Sequence, residues 1–229
     1  MKKNSKRYRE LVKFSTKGKK VDLKEIIDLL KKTSTAKFDE SIDVSLKINL
    51  KQSKGGDFNL RTVVKLPEGN GKKTIIAVLC EPDKIEEAKK SGAEIVGSED
   101  LIEKISAGKF EFNKLICTPS MMGKLGKHGK VLGPKGLMPN PKLGTVSADI
   151  KKSVQDIKNG LVEVKNDKDG NVGLTIGRKS FANEKILNNY NFFIDSIKKE
   201  RPDTMKGELI KNIYLTSSMG ISYKVGGKI

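Results

Sequence analysis

The sequence has few of the residues on which metal sites and many enzymes depend. Its 229 residues include no tryptophan, two cysteines and one histidine, and only 5% are aromatic. One histidine and two distant cysteines give no ligand spacing for zinc, so we expect no metal site. No apolar run approaches the roughly 18 residues of a transmembrane helix, and no apolar segment follows the basic start of the chain. We therefore expect neither a membrane span nor a signal peptide.

The sequence also has fewer acidic than basic residues. Lysine and arginine number 46 against 28 aspartate and glutamate residues, which gives a net charge of +18 and a pI of about 9.7. Such an excess attracts polyanions and makes nucleic acid the leading partner. An anionic membrane surface and nonspecific basicity are weaker alternatives. The hydrophobic content of 36% is low but sufficient for a folded core.

The two cysteines do not form a motif. Cys80 and Cys117 each end a short apolar run, and neither stands in a CxxC pair. We interpret them as buried, reduced side chains that pack like small hydrophobic residues.

Alternating patterns near both ends of the chain predict antiparallel strands with one buried face. The clearest covers 42–50, where Ile, Val and Leu alternate with polar residues. In 208–216, Leu209, Lys211, Ile213 and Leu215 would share one face. The other predicted elements of these end regions are helices over 5–14, 22–32 and 183–199, strands over 60–66 and 221–225, and a hairpin of 161–165 with 172–176 around NDKDGN.

The middle of the chain has continuous apolar runs separated by helical segments, as is typical of parallel βαβ units. We predict an α/β, three-layer Rossmann-like domain over 67–159, inserted into a discontinuous α+β domain with an antiparallel sheet over 1–66 and 160–229. One continuous mixed sheet is the alternative. The two crossings between the domains are candidates for a hinge. The predicted elements of the insert are strands over 74–80, 93–96 and 114–118, and helices over 83–91, 98–107 and 149–158.

A stretch rich in glycine and proline, 118–146, follows the third of these strands. We predict an ordered loop system there, because Gly and Pro disfavour long helices and central strands. Its GKLG, GKHG and GPKG sequences place cations between glycines and so favour phosphate. It has no P-loop spacing, no GxGxxG and no carboxylate that could act as a base. His128 is expected to face solvent or phosphate, Ser120 has no base partner, and we predict no catalytic residue.

Two short segments outside the predicted insert carry groups suited to RNA recognition. Residues 37–41 read KFDES and residues 216–220 read TSSMG, which combine hydroxyls, an aromatic ring, a methionine and a glycine. Such groups can read the 2′-OH groups and phosphates of folded RNA. A core position for Phe38 and an ordinary turn at 216–220 are the alternatives that the pattern leaves open.

Several segments of the chain resemble those of a known family. GKVLGPKGLMPNPKLGTV, with AKFDESIDVSLKI, LRTVVKLPEGNGK, VKNDKDG and YLTSSMG in the same order, is similar to the L-one family of large-subunit ribosomal proteins, bacterial type. The resemblance implies a non-enzymatic stalk protein of the cytoplasmic ribosome without a cofactor. It would bind large-subunit (23S) rRNA, assist release of deacylated tRNA from the exit site and repress its own operon mRNA. It also implies a monomer when free of the ribosome.

The resemblance implies an rRNA site on the discontinuous domain, with a secondary nucleic-acid contact on the insert. The chain departs from common family patterns at Ser120, Lys135 and Gly173, where Asp, Arg and His are usual; Lys135 keeps the charge but loses the bidentate fork of arginine. The implied rRNA-binding residues are Lys37, Phe38, Glu40, Ser41, Lys165, Asp167, Lys168, Thr216, Ser218, Met219 and Gly220. The secondary set is Lys124, Lys127, His128, Lys130, Lys135 and Lys142.

Two other classes of function remain as alternatives. A general RNA-binding protein or chaperone would bind folded and unstructured RNA alike. An enzyme would use the insert as a phosphate or nucleotide site, which the missing P-loop disfavours.

Overall fold

The computed structural model describes residues 5–16, 18–50, 58–108, 110–203, 205 and 207–226. The chain divides into two compact units, a discontinuous unit of Met1–Gly71 with Val162–Ile229 and an inserted unit of Lys72–Leu161. In chain order the elements are α1 (Lys6–Val12), β1 (Lys20–Val21), α2 (Leu23–Thr33), β2 (Ser41–Ile48), β3 (Arg61–Lys65), β4 (Ile76–Leu79), α3 (Ile85–Lys90), β5 (Ile95–Gly97), α4 (Glu99–Ser106), β6 (Lys114–Cys117), α5 (Pro119–Gly126), α6 (Gly129–Leu132), α7 (Ile150–Lys158), β7 (Leu161–Lys165), β8 (Asn171–Arg178), α8 (Asn183–Lys199), β9 (Ile210–Ser217) and β10 (Ser222–Val225).

A five-stranded sheet in the order β1-β10-β9-β2-β8 is the frame of the discontinuous unit. β1 runs parallel to β10, and the other neighbouring pairs are antiparallel. The alternation predicted for β2 is confirmed, since Ile42, Val44, Leu46 and Ile48 are at most 2% exposed. These side chains join one core with the apolar faces of α2 and α8. The opposite face of the sheet carries the polar residues of the alternation.

The predicted alternation of β9 is wrong at its start. The pairing with β2 shifts register, so that Lys47 faces Asn212 while Ile48 faces Ile210. This β-bulge leaves Lys211 exposed and turns Ile210 into the core. A strict alternation would have placed the lysine among the apolar side chains, where its charge would be costly.

The predicted hairpin of 161–165 with 172–176 is also wrong. β7 pairs with β3 in a separate two-stranded sheet, whereas β8 pairs with β2. The NDKDGN turn does form. Asp167 Oδ1 accepts the N–H groups of Asp169 at 3.0 Å and Asn171 at 2.6 Å, and Gly170 C=O accepts the N–H of Ile48 at 2.8 Å. The turn thus passes the chain from one sheet to the other.

We expect Gly170→Ala to lower the free energy of unfolding by about 1–3 kcal/mol. Gly170 has φ +81°, and a Cβ there would lie 2.9 Å from the carbonyl oxygen of Ile48. Gly173→Ala is the matched control, since its Cβ would meet no atom within 4 Å. Urea unfolding followed by circular dichroism measures both. Equal midpoints for the two variants would contradict this account of the turn.

The inserted unit has the predicted parallel βαβ arrangement. Its sheet has the order β5-β4-β6, and β4 pairs in parallel with both neighbours. Every residue of β4 is buried, with one apolar cluster on each face of the sheet. Cys80 and Cys117 are fully buried, as predicted, and burial raises the pKa of Cys117 to about 11. Together with the antiparallel sheet, this confirms a mixed α/β fold class.

The glycine- and proline-rich stretch does leave the sheet at the carboxyl end of β6, but the loop prediction is wrong over 119–132. That segment forms α5 and α6. Pro119 stands in the first turn of α5, where a missing N–H costs no helical hydrogen bond. Met121 and Leu125, four residues apart, are buried in the core of the unit, and Leu132 of α6 joins them. The packing of these apolar side chains outweighs the weak helix propensity of the glycines.

Candidate nucleic-acid interface

The structure brings together the two short segments from opposite ends of the chain. β2 and β9 are neighbours in the sheet, with Ile42 opposite Ser217. Beyond this pair, the Ser41 N–H donates to Ser218 Oγ at 3.0 Å, and the Ser218 N–H donates to the Ser41 carbonyl at 3.1 Å. Residues 37–41 and 216–220 therefore form one surface, which we name the junction.

A buried carboxylate holds the junction from below. Glu40 is 0% exposed and accepts hydrogen bonds from the N–H groups of Ala36 at 3.0 Å and Met219 at 3.2 Å. Burial alone would raise the pKa of Glu40, but these two hydrogen bonds and the nearby charge of Arg7 lower it below its usual value. Because its side chain has no exposed surface, Glu40 positions the junction and does not itself face a ligand.

Arg7 of α1 completes this support, and sequence reasoning missed it. Its guanidinium donates to the Met219 carbonyl at 2.8 Å and to Thr35 Oγ1 at 2.9 Å, and it lies 3.9 Å from Glu40 Oε1. The sequence indicates a basic helix here, but nothing in the local pattern tells which of its cations reaches the junction.

Two apolar side chains stand out from this supported backbone. Phe38 is 55% exposed and Met219 is 54% exposed, so the core alternative for Phe38 is wrong. Next to Phe38, Asp39 accepts hydrogen bonds from the N–H of Ser180 at 3.1 Å and from its hydroxyl at 2.8 Å. The loop that carries the ring is thereby tied to the end of β8.

Of the remaining residues of the junction, Lys37 is exposed, whereas Thr216 and Gly220 are partly buried. The Thr216 hydroxyl donates to the Ser217 carbonyl at 3.2 Å. A Cβ at Gly220 would clash with Ser217 Oγ, so no larger residue fits there without a shift of Ser217. The 216–220 segment is therefore a compact turn with its methionine facing outward.

The other implied rRNA-binding residues, Lys165, Asp167 and Lys168, lie in or beside the NDKDGN turn, at the far end of β2. β2 has eight residues, so the NDKDGN turn is about 24 Å along the strand from the junction. Lys165 and Lys168 are exposed. Asp167 uses its carboxylate within the turn, and the hydrogen bonds from Asn171 lower its pKa. Asp167 thus shapes the turn that presents Lys168.

On the inserted unit, three of the six secondary residues already contact neighbouring side chains. Lys124 Nζ lies 2.6 Å from Glu99 Oε1, Lys135 Nζ lies 3.7 Å from the centre of the Phe110 ring, and His128 Nδ1 lies 3.2 Å from Ser106 Oγ. The other three, Lys127, Lys130 and Lys142, have exposed side chains.

Of the three departures from the family pattern, Ser120 is exposed in the first turn of α5, Lys135 packs on Phe110, and Gly173 faces open space on the sheet. Among the residues that the structure describes, no group of three or more His, Cys, Asp or Glu side chains could hold a metal ion. None of the helices in the described ranges has the length and apolar character to cross a membrane.

Comparison with known proteins identifies close relatives. The family model described as "Ribosomal protein L1p/L10e family" matches residues 30–221. A Pelagibacter ubique protein named large ribosomal subunit protein uL1 is 56% identical over 223 residues, which cover 96% of each chain. Proteins with the same name from Thermosipho melanesiensis and Mycoplasma capricolum are 43% and 46% identical over 226 residues. These cover 98% of this chain, and 97% and 99% of the relatives.

Proposed function

Because this chain belongs to the ribosomal protein L1p/L10e family, whose members are structural and not enzymatic, we propose that it binds large-subunit (23S) rRNA through the junction. It is a structural constituent of the large subunit of the cytoplasmic ribosome. The observation that carries the proposal is the pair of exposed apolar side chains, Phe38 and Met219, on a backbone that Glu40 and Arg7 hold in place.

The chemistry of the junction suits a folded RNA. The hydroxyls of Ser41, Thr216 and Ser218 and the backbone of Gly220 offer groups for 2′-OH and phosphate oxygens, while Phe38 and Met219 offer apolar surface for sugars and bases. The net charge of +18 adds long-range attraction. Lys165 and Lys168 would extend the contact at the far end of β2.

The family resemblance extends the proposal to further partners. We propose that the protein assists release of deacylated tRNA from the exit site and represses translation of its own operon mRNA through the same junction. The exposed lysines of the inserted unit, Lys127, Lys130 and Lys142, would provide a secondary nucleic-acid contact. We also propose that 67–159 and 1–66 with 160–229 are two domains, and that the protein is a monomer when free of the ribosome.

A competition experiment tests the central proposal. A folded stalk fragment of 23S rRNA competes against bulk RNA for the protein at moderate salt, and the affinity is measured again between 50 and 200 mM salt. We expect a preference for the fragment of about 1,000-fold or more, with strong salt dependence. Equal affinity for both RNAs would favour the general chaperone. Tight stoichiometric binding of a mononucleotide without RNA would favour the enzyme.

A further inference from the structure

One lysine bonds both ends of the loop that carries Phe38. This loop runs from Ser34, where α2 ends, to Glu40, directly before β2. The Lys179 ammonium donates to the Ser34 carbonyl at 2.5 Å, and the Lys179 backbone N–H donates to the Glu40 carbonyl at 2.8 Å. We propose that Lys179 is a positioning residue for RNA binding, which holds the loop so that Phe38 is presented to the RNA; this rests on the proposed function.

The bond from the ammonium group fixes the start of the loop. Ser34 is the C-cap residue of α2 and is 2% exposed, so its carbonyl needs a partner within the protein. The negative end of the α2 dipole lies at this carbonyl and favours a cation there. On the helix side, the N–H and the hydroxyl of Ser34 both donate to the Leu30 carbonyl, at 2.9 and 2.7 Å. Ser34 is therefore held between α2 and Lys179.

The backbone of Lys179 fixes the other end of the loop. Lys179 directly follows β8, and its bond to Glu40 continues the pairing of β8 with β2 beyond Arg178 and Ser41. The Arg178 guanidinium donates to the Asp39 carbonyl at 3.4 Å and supports the same end. A substitution at position 179 keeps the backbone bond to Glu40, so it tests the side-chain bond to Ser34 alone.

The side chain of Lys179 serves the loop, and Lys37 is the cation that the loop presents. Lys179 is partly buried with its ammonium on the Ser34 carbonyl, whereas Lys37 is exposed. A phosphate that bound the Lys179 ammonium would have to displace it from a buried helix end. Lys179 therefore affects RNA binding through the position of the loop and not as a phosphate contact.

A loop held at both ends makes Phe38 a better anchor for RNA. The ring is 55% exposed, so packing against the protein does little to keep it in one place. Without the bond to Ser34, the free loop would adopt more conformations, and RNA binding would have to order it. Ordering of a side chain or loop segment on binding lowers the affinity, and for one such segment the loss is about fivefold.

The test uses the full chain and the 23S rRNA stalk fragment. Lys179→Met removes the ammonium group and keeps a long side chain, and it should weaken binding about fivefold. Lys179→Arg keeps a cationic donor and should bind nearly as well as the unchanged protein. Lys31→Met is the matched control, because Lys31 of α2 donates to the Phe181 carbonyl and so ties the same helix to the segment after β8 without contacting the loop. Its affinity should stay near that of the unchanged protein, whatever its unfolding midpoint.

Two further measurements distinguish a positioning residue from a phosphate contact and from a purely structural residue. Lys179→Met should leave the slope of log affinity against log salt unchanged, whereas a lost phosphate contact would lower it by about 0.9. In a Phe38→Ala background, Lys179→Met should have no further effect on affinity, because there is no ring left to position. In a Met219→Ala background its full effect should remain.

Three results would overturn the proposal while Met219→Ala still weakened binding. A lower salt slope for Lys179→Met would make the lysine a phosphate contact. An equal loss of affinity in Lys31→Met, or an undiminished loss in the Phe38→Ala background, would make its effect one of general stability. Unchanged affinity in Lys179→Met would show that the bond to Ser34 does not position the loop for RNA. If the unchanged protein did not prefer the rRNA fragment, the proposed function would fail as well.

Discussion

Replacement of Met219 by alanine is expected to weaken binding of the 23S rRNA fragment about tenfold or more without a change in stability. The side chain is 54% exposed, so its loss removes little core packing. The backbone of Met219 is held on both sides, by the Glu40 carboxylate at its N–H and by Arg7 at its carbonyl. An apolar contact made from a segment already fixed in place costs little further entropy, so truncation should lose most of its contribution to affinity.

The same argument applies to Phe38→Ala, and the chain offers matched controls for both changes. Phe192 of α8 is a comparable aromatic residue, 44% exposed, on the helical side of the same unit. Lys142→Ala on the inserted unit removes one charge, which should lower the salt slope by about 0.9 and leave most of the affinity at moderate salt. Met219→Leu keeps a flexible side chain of similar volume and should retain most of the binding.

Affinity from filter binding or fluorescence anisotropy, with unfolding midpoints for every variant, separates recognition from folding. Similar losses from Met219→Ala, Phe192→Ala and Lys142→Ala would show that RNA is held by general surface properties. The junction would then have no special role, whatever the family.

Local patterns in the sequence were sufficient wherever a single face decides the structure. The alternation of β2, the apolar runs of β4 and β6, and the apolar face of α8 each record which residues meet the core, and α8 has its predicted bounds of Asn183–Lys199. The predictions failed where a contact distant in sequence decides. Glycine in α5 is tolerated because Met121 and Leu125 reach the core, and β7 and β8 separate because β3 and β2 are their partners.

In the candidate site too, some features follow from local sequence and others depend on contacts between residues distant in sequence. The KFDES and TSSMG segments stand out by composition, but their assignment to one RNA site came from the family resemblance, since no local pattern places residue 41 beside residue 218. The structure adds what neither composition nor resemblance provides: Glu40 is buried beneath the junction, and Arg7 reaches it from α1. Burial of the Glu40 carboxylate depends on the three segments that meet around it, and so cannot be read from its neighbours in sequence.

Glu40→Gln is expected to lower the free energy of unfolding by about 1–3 kcal/mol and to weaken rRNA binding as the junction loosens. The carboxylate accepts two backbone N–H groups, from Ala36 and Met219, whereas an amide has one oxygen and would turn its NH₂ group toward one of these donors. The buried donor left without an acceptor accounts for the cost. Glu163→Gln, which breaks a more exposed ion pair with Arg61, is the control and should cost no more than about 1 kcal/mol.

The pH dependence of the stability difference between the unchanged protein and Glu40→Gln identifies the charge of Glu40 as the source of that difference. The folded-state pKa of Glu40 lies below its usual value of 4.5, so the stability that the ionised carboxylate contributes is fully present above that pH. It is lost as the pH falls through the lowered pKa, because the proton then removes the second acceptor just as the amide does. Glutamine does not titrate. Urea unfolding of both proteins at pH 7 and at lower pH should therefore show a gap in free energy that narrows on acidification below about pH 4.5. A gap that stayed constant would mean that the shape of the side chain, and not its charge, holds residues 36 and 219 in place.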